Sequence, residues 1–183
     1  MARIPYFDPE QAPERTLRAL DGRRKINIFR LVAQSDNAGA EVLALGQQLS
    51  RGSSLDPAER EVVILRVAQL SQAAYQAHEH HAVALRHGFT EEKIAAVAAY
   101  PARDSGRHLT EFERTLIEFT DSVVETTTVP QELFTRVAAA YDHSRLVELV
   151  LMIGFYMMVG RVMNTFEVDL ETGPVEQFSF PAG

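Results

Sequence analysis

Apolar positions along the chain recur at helical spacing, and the most regular stretch runs from Asp56 to Gly88. Asp56 is an N-cap residue type, Pro57 suits the first helical position, and Glu59 completes a variant of the capping box. Val62, Ile64, Leu65, Val67, Ala68 and Leu70 then leave the first helix apolar on most faces, so it should be central. A second helix is predicted from about Ala73 to His87, ended by Gly88. The two form a helical hairpin, with the rest of the chain arranged to bury it or to enclose its polar side.

The flanking pattern is helical as well. Glu14 to Leu20 and Ile26 to Val32 predict two short helices, and Ala38 to Leu49 a third, with Val42, Leu45 and Leu49 on one stripe. After the hairpin, Thr90 caps a helix closed by Pro101. Arg103 to His108 reads as a polar loop, and Thr110 with Glu113 marks a capping box for a helix to about Glu125. Gln131 to Tyr141 and Ser144 to Thr165 predict two more. The last is apolar nearly all round and reads as a buried helix. Residues 1–13 carry Pro5, Pro9 and Pro13 and read as an extended arm, packed on its own domain or on a neighbouring subunit through Ile4, Tyr6 and Phe7. The tail from Val168 reads as irregular. The expectation is an all-α single domain, residues 1–183, with no competing strand signal.

Composition narrows the function. The chain has 183 residues, of which 46% are hydrophobic, enough for a real core. A net charge of −7 without a basic stripe argues against nucleic acid and against anionic membranes. The apolar run from Leu149 to Val159 is shorter than the ~20 residues that span a bilayer. No basic-then-apolar leader opens the chain, so the expected location is the cytoplasm. The chain has no cysteine, which excludes disulfides, thiolate metal sites and thiol catalysis.

The candidate chemistry lies in the hairpin. Glu61 sits among apolar residues, where desolvation makes a carboxylate hold its proton more tightly, as a general acid or base requires. On the second helix Gln76 and His80 are one turn apart, so an amide could orient the imidazole. Antiparallel packing would bring Glu61 to the same row. His78, His81 and His87 read as a wet helix face. His78-Glu79-His80-His81 does not make a chelating set, because adjacent helical residues point about 100° apart, and the H-E-x-x-H pattern is absent. A metal site drawn from Glu61, His80 and a distant residue is a minor alternative, and the leading expectation is no metal or other cofactor. Arg66, inside the apolar helix, should be paired with an acid such as Glu148 or Glu118.

The run LDPAEREVVILRVAQLSQAAYQAHEHHAVALRHGFTEEKIAAV resembles the carboxymuconolactone decarboxylase / AhpD-like (alkylhydroperoxidase D-like) family, and ARIPYFDPEQAP and KINIFRLVAQS resemble its cysteine-poor branch. The resemblance implies a helical bundle around the hairpin and homo-oligomers, trimers or hexamers, with the site near a subunit interface. Redox members carry Cys-x-x-Cys, then His one turn on, with Glu on the preceding helix. Aligned here, the Glu falls on Glu61, the His on His80, and the cysteines on Ala73 and Gln76. Cysteine-free members often read Tyr-Glu-Trp-x-x-His where this chain has Tyr75-Gln76-Ala77-His78-Glu79-His80. Dithiol peroxidase chemistry is therefore closed to this chain. What remains is a cofactor-free lyase acting by proton transfer on a small carbonyl acid or lactone. His80, Glu61 and Tyr75 would be catalytic, and Gln76 and His78 would bind substrate. The alternative is a non-catalytic oligomeric protein that binds a small molecule.

Overall fold

The computed structural model describes residues 2–8, 13–102 and 104–179. Met1, residues 9–12 of the expected arm, Arg103 of the expected loop and Pro181 of the tail lie outside the described residues. The secondary structure is helical, and no strand occurs among the described residues apart from an isolated antiparallel bridge between Arg24 and Gln177. The chain forms two compact units, one of Met1–Gly52 with Met163–Gly183 and one of Ser53–Val162.

The first unit holds α1 (Glu14–Leu20), α2 (Asn27–Val32) and α3 (Gly39–Gln47), followed by a π-helical turn at Gln48–Gly52. Its core gathers Phe7, Leu20, Ala33, Leu43 and Phe178. The arm is thus anchored within its own unit by Phe7, while the Tyr6 ring lies under the Arg30 guanidinium, 4.8 Å from ring centre to carbon. The stripe on α3 differs from expectation. Leu43 is buried, while Leu45 is exposed. Leu49 is buried, but from the π-helical turn, where the change of period moves it off the α3 stripe.

The second unit holds α4 (Pro57–Leu70), α5 (Ala74–Arg86), α6 (Glu91–Ala99), α7 (Glu111–Thr126) and α8 (Gln131–Ala138), with a 3₁₀ turn at Ser105–His108. The last helix, α9 (His143–Phe166), begins in this unit and runs on past Val162. Helix α4 starts where the sequence says, because Asp56 accepts hydrogen bonds from the backbone N–H groups of Ala58 (2.8 Å) and Glu59 (3.3 Å). Glu59 does not close a capping box; its carboxylate accepts the Tyr141 hydroxyl instead, at 2.7 Å. Thr110 and Glu113 do make the full reciprocal box at the start of α7. Helix α5 ends at Arg86, capped at His87, and the chain turns away at Gly88, whose φ of +83° is readily open only to glycine.

Every residue from Glu61 to Ala68 is buried, so α4 is the central helix of this unit, with α5, α6 and α7 packed around it. Arg66 is tied down in this interior, but by neither acid expected. Its Nε and Nη2 bind Asp121 at 2.6 and 2.7 Å, and Nη1 donates to the carbonyls of Val97 and Ala98. Asp121, on α7, takes the guanidinium, while both expected acids are engaged by other donors. Glu118 is occupied by Tyr100 and Arg136, and Glu148 by Ser53 and Ser54.

Helix α9 is the larger departure. Leu149, Met152 and Ile153 are fully buried, yet Val147 is 60% and Leu151 50% exposed, and Val150 and Met158 are also exposed. By length and composition α9 could cross a membrane, but its inner row forms part of a protein core. An all-apolar pattern states that a helix shuns water; it does not state whether its own chain covers every face.

Candidate active site

The site is built by the hairpin. Glu61 stands in the second turn of α4 and His80 midway along α5, and the return through Ser71–Ala73 brings them face to face. Nδ1 of His80 and a Glu61 carboxylate oxygen are 2.8 Å apart, with side chains only 18% and 7% exposed. An ionised carboxylate has no proton to give, so Nδ1–H donates to it, and the ring's lone pair is left on Nε2. A carboxylate that fixes the tautomer and steadies the imidazolium, with the far nitrogen free, is the arrangement of a general base.

A third group joins them from α9. The Tyr156 ring stands edge-on to His80, with centroids 5.1 Å apart and an 88° interplanar angle, and it meets Phe155 in a second edge contact. Tyr156 is 8% exposed, and its hydroxyl makes no hydrogen bond among the described residues. Burial, reinforced by the charge of Glu61 and opposed by that of Arg60, pushes this phenol far above the usual tyrosine range. Tyr156 is therefore a neutral hydrogen-bond donor at any working pH. Read from the sequence as one more apolar position, it is the site residue that periodicity hid. The only signal was a hydroxyl on an otherwise apolar helix face.

Gln76 does not orient His80. It is fully buried, and its amide nitrogen donates to the Ile64 carbonyl at 3.2 Å, tying α5 to α4. Its amide oxygen has no hydrogen-bond partner. It faces α9 at Gly160, where a Cβ would lie 3.3 Å from the Ala73 Cβ and 3.4 Å from that oxygen. Tyr75 is buried in the first turn of α5. His78 is exposed, and His81 meets Glu91 at the surface at 2.8 Å. Among the described residues no group of three or more histidines and carboxylates is placed to hold a metal ion.

Residues 37–107 match the carboxymuconolactone decarboxylase family, a segment that contains Glu61, Tyr75, Gln76 and His80. An uncharacterized Bacillus subtilis protein, YdfG, is 27% identical over 117 residues, 63% of this chain and 78% of that one. Among solved structures, the alkylhydroperoxidase AhpD core of an uncharacterized peroxidase-related protein from Ralstonia eutropha JMP134 superposes with a TM-score of 0.78 at 16% identity, over 93% of each chain. The debrominase Bmp8 in complex with 2,3,4-tribromopyrrole superposes with a TM-score of 0.72 at 14% identity, over 94% of this chain and 95% of that one.

Proposed function

We propose that this chain, a cysteine-free member of the carboxymuconolactone decarboxylase / AhpD-like family, is a cofactor-free lyase that moves a proton on a small carbonyl acid or lactone. The supporting observation is the 2.8 Å hydrogen bond that fixes the His80 tautomer against Glu61 and leaves Nε2 to react. In one direction Nε2 takes a proton from the carbon beside a carbonyl, and the electron pair of that C–H bond passes into the enolate. In a decarboxylation the C–C bond to the carboxylate breaks, carbon dioxide leaves, and the pair left behind is carried as an enolate. Imidazolium Nε2–H then returns a proton to that carbon. Glu61 offsets the positive charge that His80 gains in the first case and begins with in the second. Tyr75 sits close in sequence to this pair, in the first turn of α5, and is kept as the third catalytic candidate, with Gln76 and His78 as substrate-side candidates.

The test is turnover of γ-lactones and β-keto acids by the wild type, His80→Ala and Glu61→Gln. Loss of turnover in both variants supports the reading; undiminished turnover in both sinks it. The buried, amide-bonded Gln76, in place of a carboxylate, favours a second reading in which the protein binds a small molecule without converting it. Saturable binding with no turnover across the same compounds would decide for that reading. Either way we propose a homo-oligomer, supported by the exposed apolar row Val147, Val150, Leu151 and Met158 on α9.

A further inference from the structure

Tyrosine hydroxyls in this chain tend to end on a carboxylate. Tyr6 donates to Asp169 at 3.2 Å, Tyr100 to Glu118 at 2.8 Å and Tyr141 to Glu59 at 2.7 Å. Tyr156 is different. Its hydroxyl has no hydrogen-bond partner among the described residues, and its oxygen is not sealed in the core but is part of the 8% of the residue that stays accessible. Nε2 of His80 likewise has no partner among the described residues and is not enclosed, since Glu61 holds Nδ1. The tyrosine ring is fixed by packing. The fully buried Leu149, Met152 and Ile153 anchor α9 before it, and one turn after it Gly160 comes close to Ala73 and Gln76 at the start of α5. Between those points the ring stands edge-on to His80, 5.1 Å between centroids. Two touching rings thus each carry one reachable polar atom that no other residue uses.

We propose that Tyr156 is a catalytic residue whose hydroxyl donates a hydrogen bond to the substrate's carbonyl oxygen while Nε2 of His80 works on the neighbouring carbon. The proposal rests on the acid–base reading. When the C–H bond breaks, its proton goes to Nε2 and its electron pair becomes the C=C bond of an enolate. The carbonyl π pair then collects on oxygen, where the phenol O–H meets it. In a decarboxylation the pair comes from the C–C bond to the departing carbon dioxide and ends on the same oxygen. The phenol keeps its proton throughout. Burial, reinforced by the charge of Glu61, holds it neutral and so leaves it a donor. A donor is needed at this point, because the charge that develops on oxygen does so beside the carboxylate of Glu61, and a preorganised O–H stabilises it where a carboxylate cannot. The substrate class narrows accordingly. The reacting carbon must be bonded directly to a ketone or lactone carbonyl, and a simple carboxylic acid without that second carbonyl lacks the acceptor.

Levulinate labelled with ¹³C at its ketone carbon is the probe. Uptake of solvent deuterium beside the ketone reads the chemistry, and the ¹³C signal of the bound ketone reads the hydrogen bond. Tyr156→Phe should slow uptake by about 10²-fold at saturating probe. It should also move the ketone signal upfield, while the His80 ring signals in ¹H–¹³C NMR keep their positions because the ring contact is retained. Replacing Tyr156 with 3-fluorotyrosine, a better donor of nearly the same shape, should move the ketone signal downfield. Tyr141→Phe, which removes an equally buried hydroxyl away from the site, should change neither readout. Uptake that is lost in His80→Ala but survives Tyr156→Phe overturns the donor and leaves the acid–base reading standing. Slower uptake in Tyr156→Phe with the ketone signal unmoved in both Tyr156 variants assigns the ring to packing against His80 and also overturns the donor. A ketone signal that follows the two variants without His80-dependent uptake supports the donor and sinks the acid–base reading. Neither uptake nor a bound ketone signal in the wild type overturns both.

Discussion

His80 and Glu61 meet 19 residues apart in sequence and 2.8 Å apart in space, from the two helices of one hairpin. The bond does two things at once. It fixes which imidazole nitrogen is basic, and it satisfies a carboxylate that the apolar interior of α4 would otherwise leave desolvated and alone.

Substitution at this pair should therefore separate chemistry from folding. His80→Ala is expected to lower kcat/KM by about 10²-fold or more on any substrate the wild type converts. Glu61→Gln keeps the shape and removes the charge, so it should lower kcat more than it raises KM. Steady-state kinetics of both variants, with circular dichroism to verify the fold, make the comparison.

Arg66→Met should destabilise the protein by about 3–5 kcal/mol, because Asp121 and the carbonyls of Val97 and Ala98 lose their donor in a dry interior. The double variant Arg66→Met/Asp121→Leu should recover much of that loss, since no unpaired charge remains. Urea midpoints of the two variants against wild type give the answer.

Alkaline stability should depend on two tyrosines. Burial pushes Tyr156 and Tyr141 far above the usual range, followed in each case by a nearby carboxylate, Glu61 for Tyr156 and Glu59 for Tyr141. In the unfolded chain both deprotonate near pH 10. Above that pH the unfolded state binds fewer protons than the native state, so stability is full below about pH 10 and falls as pH rises. Each tyrosine should contribute a slope of about 1.4 kcal/mol per pH unit. Tyr156→Phe and Tyr141→Phe should each flatten the dependence of the urea midpoint between about pH 10 and 11.

Exposed Val147 and Leu151 on α9 give the proposed homo-oligomer a test. Val147→Glu/Leu151→Glu places charge on that row without touching the buried Leu149, Met152 and Ile153. Sedimentation velocity should show a smaller species with unchanged helicity. An unaltered sedimentation coefficient would count against this row as a subunit contact.

The all-α fold and the pairing of Glu61 with His80 were legible because both depend on local rules: caps, glycine stops and helical period. Asp56, Thr110 and Gly88 set boundaries that the structure keeps. Less was legible wherever a choice among neighbours mattered. Arg66 was expected to meet Glu148 or Glu118, yet other donors engage both of those, and Asp121 on α7 takes the guanidinium. Gln76 is at the right spacing to touch His80, yet the Ile64 carbonyl competes successfully for its amide. Tyr156 and the outer row of α9 share one apolar pattern and have opposite environments, a distinction that periodicity does not carry.

The contact at Gly160 gives the site an adjustment remote from its chemistry. One turn before it on α9 stands Tyr156, and facing it on α5 is Gln76, one turn before His80. A Cβ at 160 would sit 3.3 Å from the Ala73 Cβ and 3.4 Å from the Gln76 amide oxygen, so a side chain there presses on the start of α5 beside the site. The geometry of the Glu61–His80–Tyr156 group thus depends on a position that bears no functional group. A family that varied residue 160 alone could retune its catalyst while every acid, base and donor stayed the same.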